Sequence, residues 1–158
     1  LSAAPLPGGA EKKGRGVSSV LFVCGLNSIR SPIAEALAKN LLPASVYVAS
    51  AGVKRGERDP FVDTVLSEKG ISLGNRRPQS FEEIEDSFFD LVVTLSPEAH
   101  HMVLNAMRAD AVDVEFWPMP DPAAADGTRE QILSAYRDVV RRIETRIRQR
   151  LLSDESAA

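Results

Sequence analysis

From residue 19 onward the apolar positions switch between two periods. The run "SVLFV", residues 19–23, is short, apolar throughout and bounded by a polar leader and a glycine, which suits a strand buried on both faces. The next segment, "SPIAEALAKNLL", reads as a helix with Ser31 as N-cap, Pro32 in the first turn and Glu35 toward the positive end of the helix dipole. "SVYVASAG" predicts a second strand ending at Gly52. "DPFVDTVLSEKG" predicts a helix capped by Asp59, opened by Pro60 and stopped at Gly70.

The pattern then repeats. "DLVVTL" is a third buried strand, "SPEAHHMVLNAMR" a second Ser-Pro helix start, and "AVDVEFW" a fourth strand running into the turn-rich "PMPDPAAADG". A long last helix starts at Thr128, with Gln131 completing a capping box. Its expected apolar face is Ile132, Tyr136, Val139, Val140, Ile143, Ile147 and Leu151. Arg141, Arg142, Arg146, Arg148 and Arg150 fall mostly between those positions and read as a solvated face. Strands alternating with helices predict an α/β fold of three layers, a four-stranded parallel sheet with helices on both faces. In such sheets ligands collect beyond the carboxyl ends of the strands. Cys24 and Asp121 both follow predicted strands and are candidates for one crevice.

Composition narrows the classes. The 158 residues suffice for one domain. Residues 1–17, rich in Pro, Gly and charge, read as a disordered leader; residues 18–152 form the single expected domain, and 153–158 a tail. Nineteen Lys and Arg against 22 Asp and Glu give a net charge of -3, which argues against nucleic acid or an anionic membrane as partner. No apolar run approaches the roughly 20 residues of a membrane span. One cysteine excludes an internal disulfide and a cysteine-rich zinc site, and fits a reducing cytoplasm. The adjacent His100 and His101 face different directions on a helix, so they read as surface residues and no metal or other cofactor is expected.

The chemistry centres on Cys24. A solitary cysteine after an apolar strand is either a small buried hydrophobe or a nucleophile. Position favours the nucleophile: strand, short loop with Gly25 and Asn27, then Arg30 directly before a capped helix. Such a loop can turn successive N–H groups inward as an anion nest, and its dipoles stabilise a thiolate. Arg30 offers a planar fork for two oxygens of a tetrahedral dianion, and Ser31 a hydroxyl near the sulfur. Gly25, Leu26, Asn27, Ser28, Ile29, Arg30 and Ser31 are thus the expected phosphate-binding segment.

"VCGLNSIRSPIAEAL" resembles the active-site loop and first helix of low-molecular-weight protein tyrosine phosphatases, and of the arsenate reductases that share their fold. The resemblance continues through "SAGV", Asp59–Pro60, "EKGI", "RRPQSFEEI" and "PDPAAADG". It implies a cytoplasmic, metal-independent enzyme that forms a phosphocysteine on Cys24, with Arg30 holding the oxyanion. Asp121 matches the family's general acid, and Asn27 the asparagine that braces the loop. The implied ligands are a phosphorylated protein or small aryl phosphate, inorganic phosphate and other tetrahedral oxyanions.

Three departures modify that expectation. Leu26 stands where the family has a glycine, which suggests a different loop backbone or a more apolar rim. Ile29 replaces a frequent second cysteine, so a protective disulfide is unavailable to Cys24. Ala123 and Ala124 replace the aromatic residues that usually wall the cleft after Asp-Pro, a role left to Leu26 or Trp117, although Trp117 also reads as core. The alanines point to a second reading, an arsenate reductase using an external thiol. A third is a phosphate- or phosphoprotein-binding module without turnover.

Overall fold

The computed structural model describes residues 16–84, 88–107 and 112–152. Four strands, β1 (Ser19–Cys24), β2 (Tyr47–Gly52), β3 (Leu91–Thr94) and β4 (Asp113–Phe116), pair in parallel in the order β2-β1-β3-β4. The intervening helices are α1 (Arg30–Leu41), α2 (Pro60–Ser67) and α3 (Pro97–Ala106), followed by α4 (Arg129–Ile147). The predicted tail at 153–158 and most of the leader lie outside the described residues; Val17 packs against the core.

The period of two along β1 assigns its side chains to two cores. Val20 and Phe22 face a cluster containing Ile33 and Leu37 of α1, Val62 and Leu66 of α2, and Val139 and Ile143 of α4. Leu21 and Val23 face the opposite layer, with Ala99 and Val103 of α3. Every residue of β1 is buried, which is why its sequence lacks the polar alternation of a one-sided strand. The result is the expected three-layer α/β sandwich.

Order decides where a ligand goes. From β1 the chain crosses through α1 to β2 on one side; from β3 it crosses through α3 to β4 on the other. The carboxyl ends of β1 and β3 therefore flank the switch point, where no crossover covers the crevice. Cys24 ends β1 at that point.

Local signals account for most helix ends. Asp59 caps α2 through Phe61 N, Ser96 caps α3 through Ala99 N, and Thr128 and Gln131 form the capping box of α4. On α4 the buried position is Leu133, with Ile132 only partly covered. The expected N-cap of α1 is corrected: the helix starts at Arg30, Ile29 holds the cap position without a side-chain bond, and Ser31 lies within the first turn. Its hydroxyl is drawn to a different partner, described below. Glu35, expected toward the positive helix end, lies beyond the first turn of α1, which holds no acid, and is buried. His100 departs from its surface assignment too, since Nδ1 lies 2.8 Å from the buried Thr94 Oγ1 and the ring stacks on Phe116.

Candidate active site

The loop between β1 and α1 is held from outside by its carbonyls. Cys24 O, Gly25 O and Leu26 O accept from the N–H groups of Val53, Lys54 and Gly56 at 2.9, 3.0 and 2.8 Å. In a planar trans peptide the carbonyl of one residue and the N–H of the next point oppositely. The N–H groups of Gly25, Leu26 and Asn27 are thereby turned away from residues 53–56. Among the described residues no protein group accepts a hydrogen bond from any N–H of Gly25 to Arg30. These donors and the start of α1 can hold an oxyanion. The close approach of the two segments explains Gly52, where a Cβ would lie 2.6 Å from Leu26 C and 2.7 Å from Asn27 N.

The positive φ in the loop falls on Asn27, at 58°. Leu26 does not have it, so the leucine escapes left-handed strain and makes the rim apolar, the residue being 51% exposed. Asparagine tolerates the left-handed region better than other residues with a Cβ. Its amide then uses its full bonding capacity. Nδ2 donates to Ser31 Oγ at 2.8 Å and Ser50 Oγ at 2.9 Å; Oδ1 accepts from Arg76 Nη2 at 2.7 Å and Gln79 N at 2.9 Å.

Cys24 is 2% exposed, and its Sγ lies 3.0 Å from Ser31 Oγ. The Ser31 hydroxyl has Ala51 O within 3.3 Å as an alternative acceptor, so its proton can turn from a carbonyl to a thiolate. Arg30 Nη1 donates to Met119 O at 3.1 Å, which draws the loop carrying Asp121 to the cradle and leaves further guanidinium donors for a ligand. Asp121 is exposed, and one carboxyl oxygen accepts from Ala123 N at 3.0 Å, fixing the side chain over the short turn at Pro122–Ala124. Cys24, Ser31 and Asn27 are thus joined directly by hydrogen bonds, and Arg30, at the end of the same loop, meets the chain two residues before Asp121.

A second layer was not legible in the spacing. Ser50 donates to Glu35 Oε1 and accepts from Arg76 Nη2 at 3.0 Å; Arg76 Nε lies 3.2 Å from the same Glu35 oxygen, and Lys39 Nζ 2.7 Å from the other. The network fixes Asn27 from below. The available signal was Glu35 itself, an acid within a helix buried from Ser31 to Ala38, which requires a buried partner.

Beside the loop opens a cleft of about 610 Å³, lined by Leu26, Ser28 and Ile29, by Phe61 and Ile132, and by Ala123 and Ala125 either side of the turn after Asp121. Tyr136, expected as packing, is buried but also donates to Asp59 Oδ2 at 2.7 Å. Burial, the Asp59 carboxylate and then the charge of Asp121 all push its phenol well above the usual value. Trp117 is fully buried against Phe22, so it does not wall the cleft. Among the described residues no group of three metal-ligating side chains converges, and no helix is long and apolar enough to cross a membrane.

A family model for low molecular weight phosphotyrosine protein phosphatase matches residues 19–156. The chain belongs to that family. Within the family fold it is 32% identical to the arsenate reductase of Bacillus subtilis over 130 residues, 82% of this chain and 92% of that protein. It is also 32% identical to a solved arsenate reductase of Archaeoglobus fulgidus, with a TM-score of 0.66 over 82% of this chain and 96% of the other. The tyrosine phosphatase amsI of Erwinia amylovora superposes with a TM-score of 0.72 over 90% of this chain and 95% of the other, at 24% identity, a likeness of fold. The family is one of enzymes, and the relatives named above carry two activities in their names, arsenate reductase and tyrosine phosphatase.

Proposed function

We propose that this chain is a cysteine-dependent phosphomonoesterase, a low-molecular-weight tyrosine phosphatase acting on a phosphorylated protein or small aryl phosphate. The Cys24 thiolate attacks phosphorus and the bond to the leaving oxygen breaks, with its proton supplied by Asp121. Water then attacks the phosphocysteine, Asp121 takes the water's proton, and the thiolate is released as phosphate leaves. The N–H groups of Gly25 to Arg30 and the Arg30 fork hold the equatorial oxygens as charge develops. Ser31 steadies the sulfur as nucleophile and as leaving group.

The observation that carries this reading is the Arg30 contact to Met119 O, which joins the anion cradle to the loop of an exposed carboxyl. Hydrolysis needs such an acid and no electrons, and Cys24 is the only thiol in the sequence. The test is hydrolysis of a simple aryl phosphate near pH 6 by the wild type and Cys24→Ser. Turnover that disappears in the variant is expected; a folded wild type without turnover would overturn the proposal.

The identity to arsenate reductases favours a second reading. Thiolate attack on arsenate would break one arsenic–oxygen bond, its oxygen leaving, protonated, as water, and form a Cys24–arsenic bond. An external thiol attacking Cys24 Sγ would break it, leaving a mixed disulfide and releasing arsenite, and a second thiol would restore Cys24. Each turnover oxidises two external thiols and reduces one arsenate. Arsenite formed only with added glutathione or a dithiol protein, without aryl phosphate hydrolysis, would establish it.

A further inference from the structure

We infer that Phe61 is the specificity-determining residue of this site, its ring on the first turn of α2 supplying the face against which the substrate's aryl group lies. The inference rests on the phosphatase reading and deepens it. The loop after Asp121 cannot provide such a face, because Ala123 and Ala124 follow Pro122 there. The fully buried Trp117 is excluded as well. Phe61 and Leu26 line the same cleft, together with Ile132, and that cleft is bounded by loop residues Ser28 and Ile29 and by Ala123 and Ala125. The cleft, whose apolar side chains share its wall with Glu57, Arg58 and Asp59, is far larger than an inorganic oxyanion requires.

Phe61 is also held in place from three directions. Asp59 Oδ1 accepts from Phe61 N at 2.8 Å, while Oδ2 accepts from Tyr136, so one carboxylate fixes both the start of α2 and its distance from α4. The Phe61 ring packs on the Tyr136 ring with centroids 5.3 Å apart at 41°. Arg129, the first residue of α4, places its guanidinium 5.6 Å from the Phe61 centroid. A ring fixed before binding loses little entropy when a second ring packs on it. The wall has therefore moved from the acid loop to α2, and the Asp59–Tyr136 bond is its support.

The test compares inorganic phosphate, methylphosphonate and benzylphosphonate by calorimetry on the wild type, Phe61→Ala, Phe61→Leu and Phe61→Tyr. The wild type is expected to bind benzylphosphonate about tenfold more tightly than methylphosphonate, and Phe61→Tyr to keep that ratio. Phe61→Ala should bring the ratio to within about twofold while phosphate affinity stays within about twofold of the wild type. If Phe61→Ala does not fold, Phe61→Leu keeps apolar volume without the π face and should lose at least half of the preference. An unchanged ratio in Phe61→Ala and Phe61→Leu, or phosphate affinity falling in step with benzylphosphonate, would overturn the assignment. The readout is binding, so the two ideas separate: a benzyl preference lost with Phe61 but no Cys24-dependent hydrolysis sinks only the phosphatase reading. Hydrolysis without a benzyl preference sinks only the role of Phe61.

Discussion

The Tyr136 hydroxyl donates to the Asp59 carboxylate at 2.7 Å, joining the middle of α4 to the N-cap of α2 across 77 positions of chain. Because the phenol's pKa is raised in the folded protein, its stabilising effect is complete below the unfolded phenol's value of about 10 and declines as pH rises beyond it. Tyr136→Phe should lose about 2 kcal/mol at pH 7, the worth of a hydrogen bond to a charged group. The gap to the wild type should narrow above about pH 10. Urea unfolding at both pH values checks this; a gap that widens with pH would mean the carboxylate is not the partner that matters.

Asn27 combines a backbone demand with a side-chain demand. Asn27→Gly keeps the freedom to adopt a φ of 58° and loses only the amide bonds, whereas Asn27→Ala loses both. Both should be destabilised, and Asn27→Ala by about 1 kcal/mol more, the cost of the left-handed region for a residue with a Cβ. Equal melting of the two variants would show that the loop relaxes away from this conformation.

Ser31 is expected to act on sulfur rather than on the helix. It makes no cap bond, and its hydroxyl lies 3.0 Å from Cys24 Sγ. Ser31→Ala should slow iodoacetamide alkylation of Cys24 at neutral pH about fivefold, because the thiolate loses a charge-assisted donor. Thermal stability should fall by no more than about 1 kcal/mol. A large loss of stability with unchanged alkylation would assign Ser31 to structure alone.

Asp121→Asn separates acid catalysis from binding. An exposed carboxyl that protonates the leaving oxygen matters most when that oxygen is strongly basic. Alkyl and phenyl phosphates should slow by about 10²-fold or more, and nitrophenyl phosphates far less. Equal losses for all leaving groups would deny the carboxyl its proposed role.

A stability profile offers a check at the other end of the pH scale. Asp90 accepts from the hydroxyl and N–H of Ser18, and these bonds, with a further N–H from the Ser19 side, hold its carboxyl below the usual range. A depressed pKa stabilises above the unfolded value of about 3.9, and that stability is lost as pH falls through the folded one. Asp90→Asn should therefore be less stable than the wild type at pH 6 and converge with it under strong acid, as followed by thermal melts. A constant difference across that range would remove the carboxylate's charge from the account.

What the sequence determined by itself was everything carried by neighbours along the chain. Buried strands with no polar alternation, the caps at Asp59, Ser96 and Thr128, and the strand-to-helix loop at Cys24 are local patterns, and period and capping chemistry are written within a few residues. The candidate cradle residues were legible for the same reason, since they occupy one uninterrupted segment. What only the tertiary structure decided involves partners dozens of residues apart. Glu35, Ser50 and Arg76 meet beneath Asn27 because α1, β2 and the segment after Gly70 converge there, and no spacing encodes that meeting. Phe61 reads as an ordinary apolar helix position in sequence. Only the packing of α2 on α4, through Asp59 and Tyr136, turns its ring into a wall of the cleft. Hydrophobic periodicity specifies which face of a helix is buried, but not what the residue at its edge will look out upon.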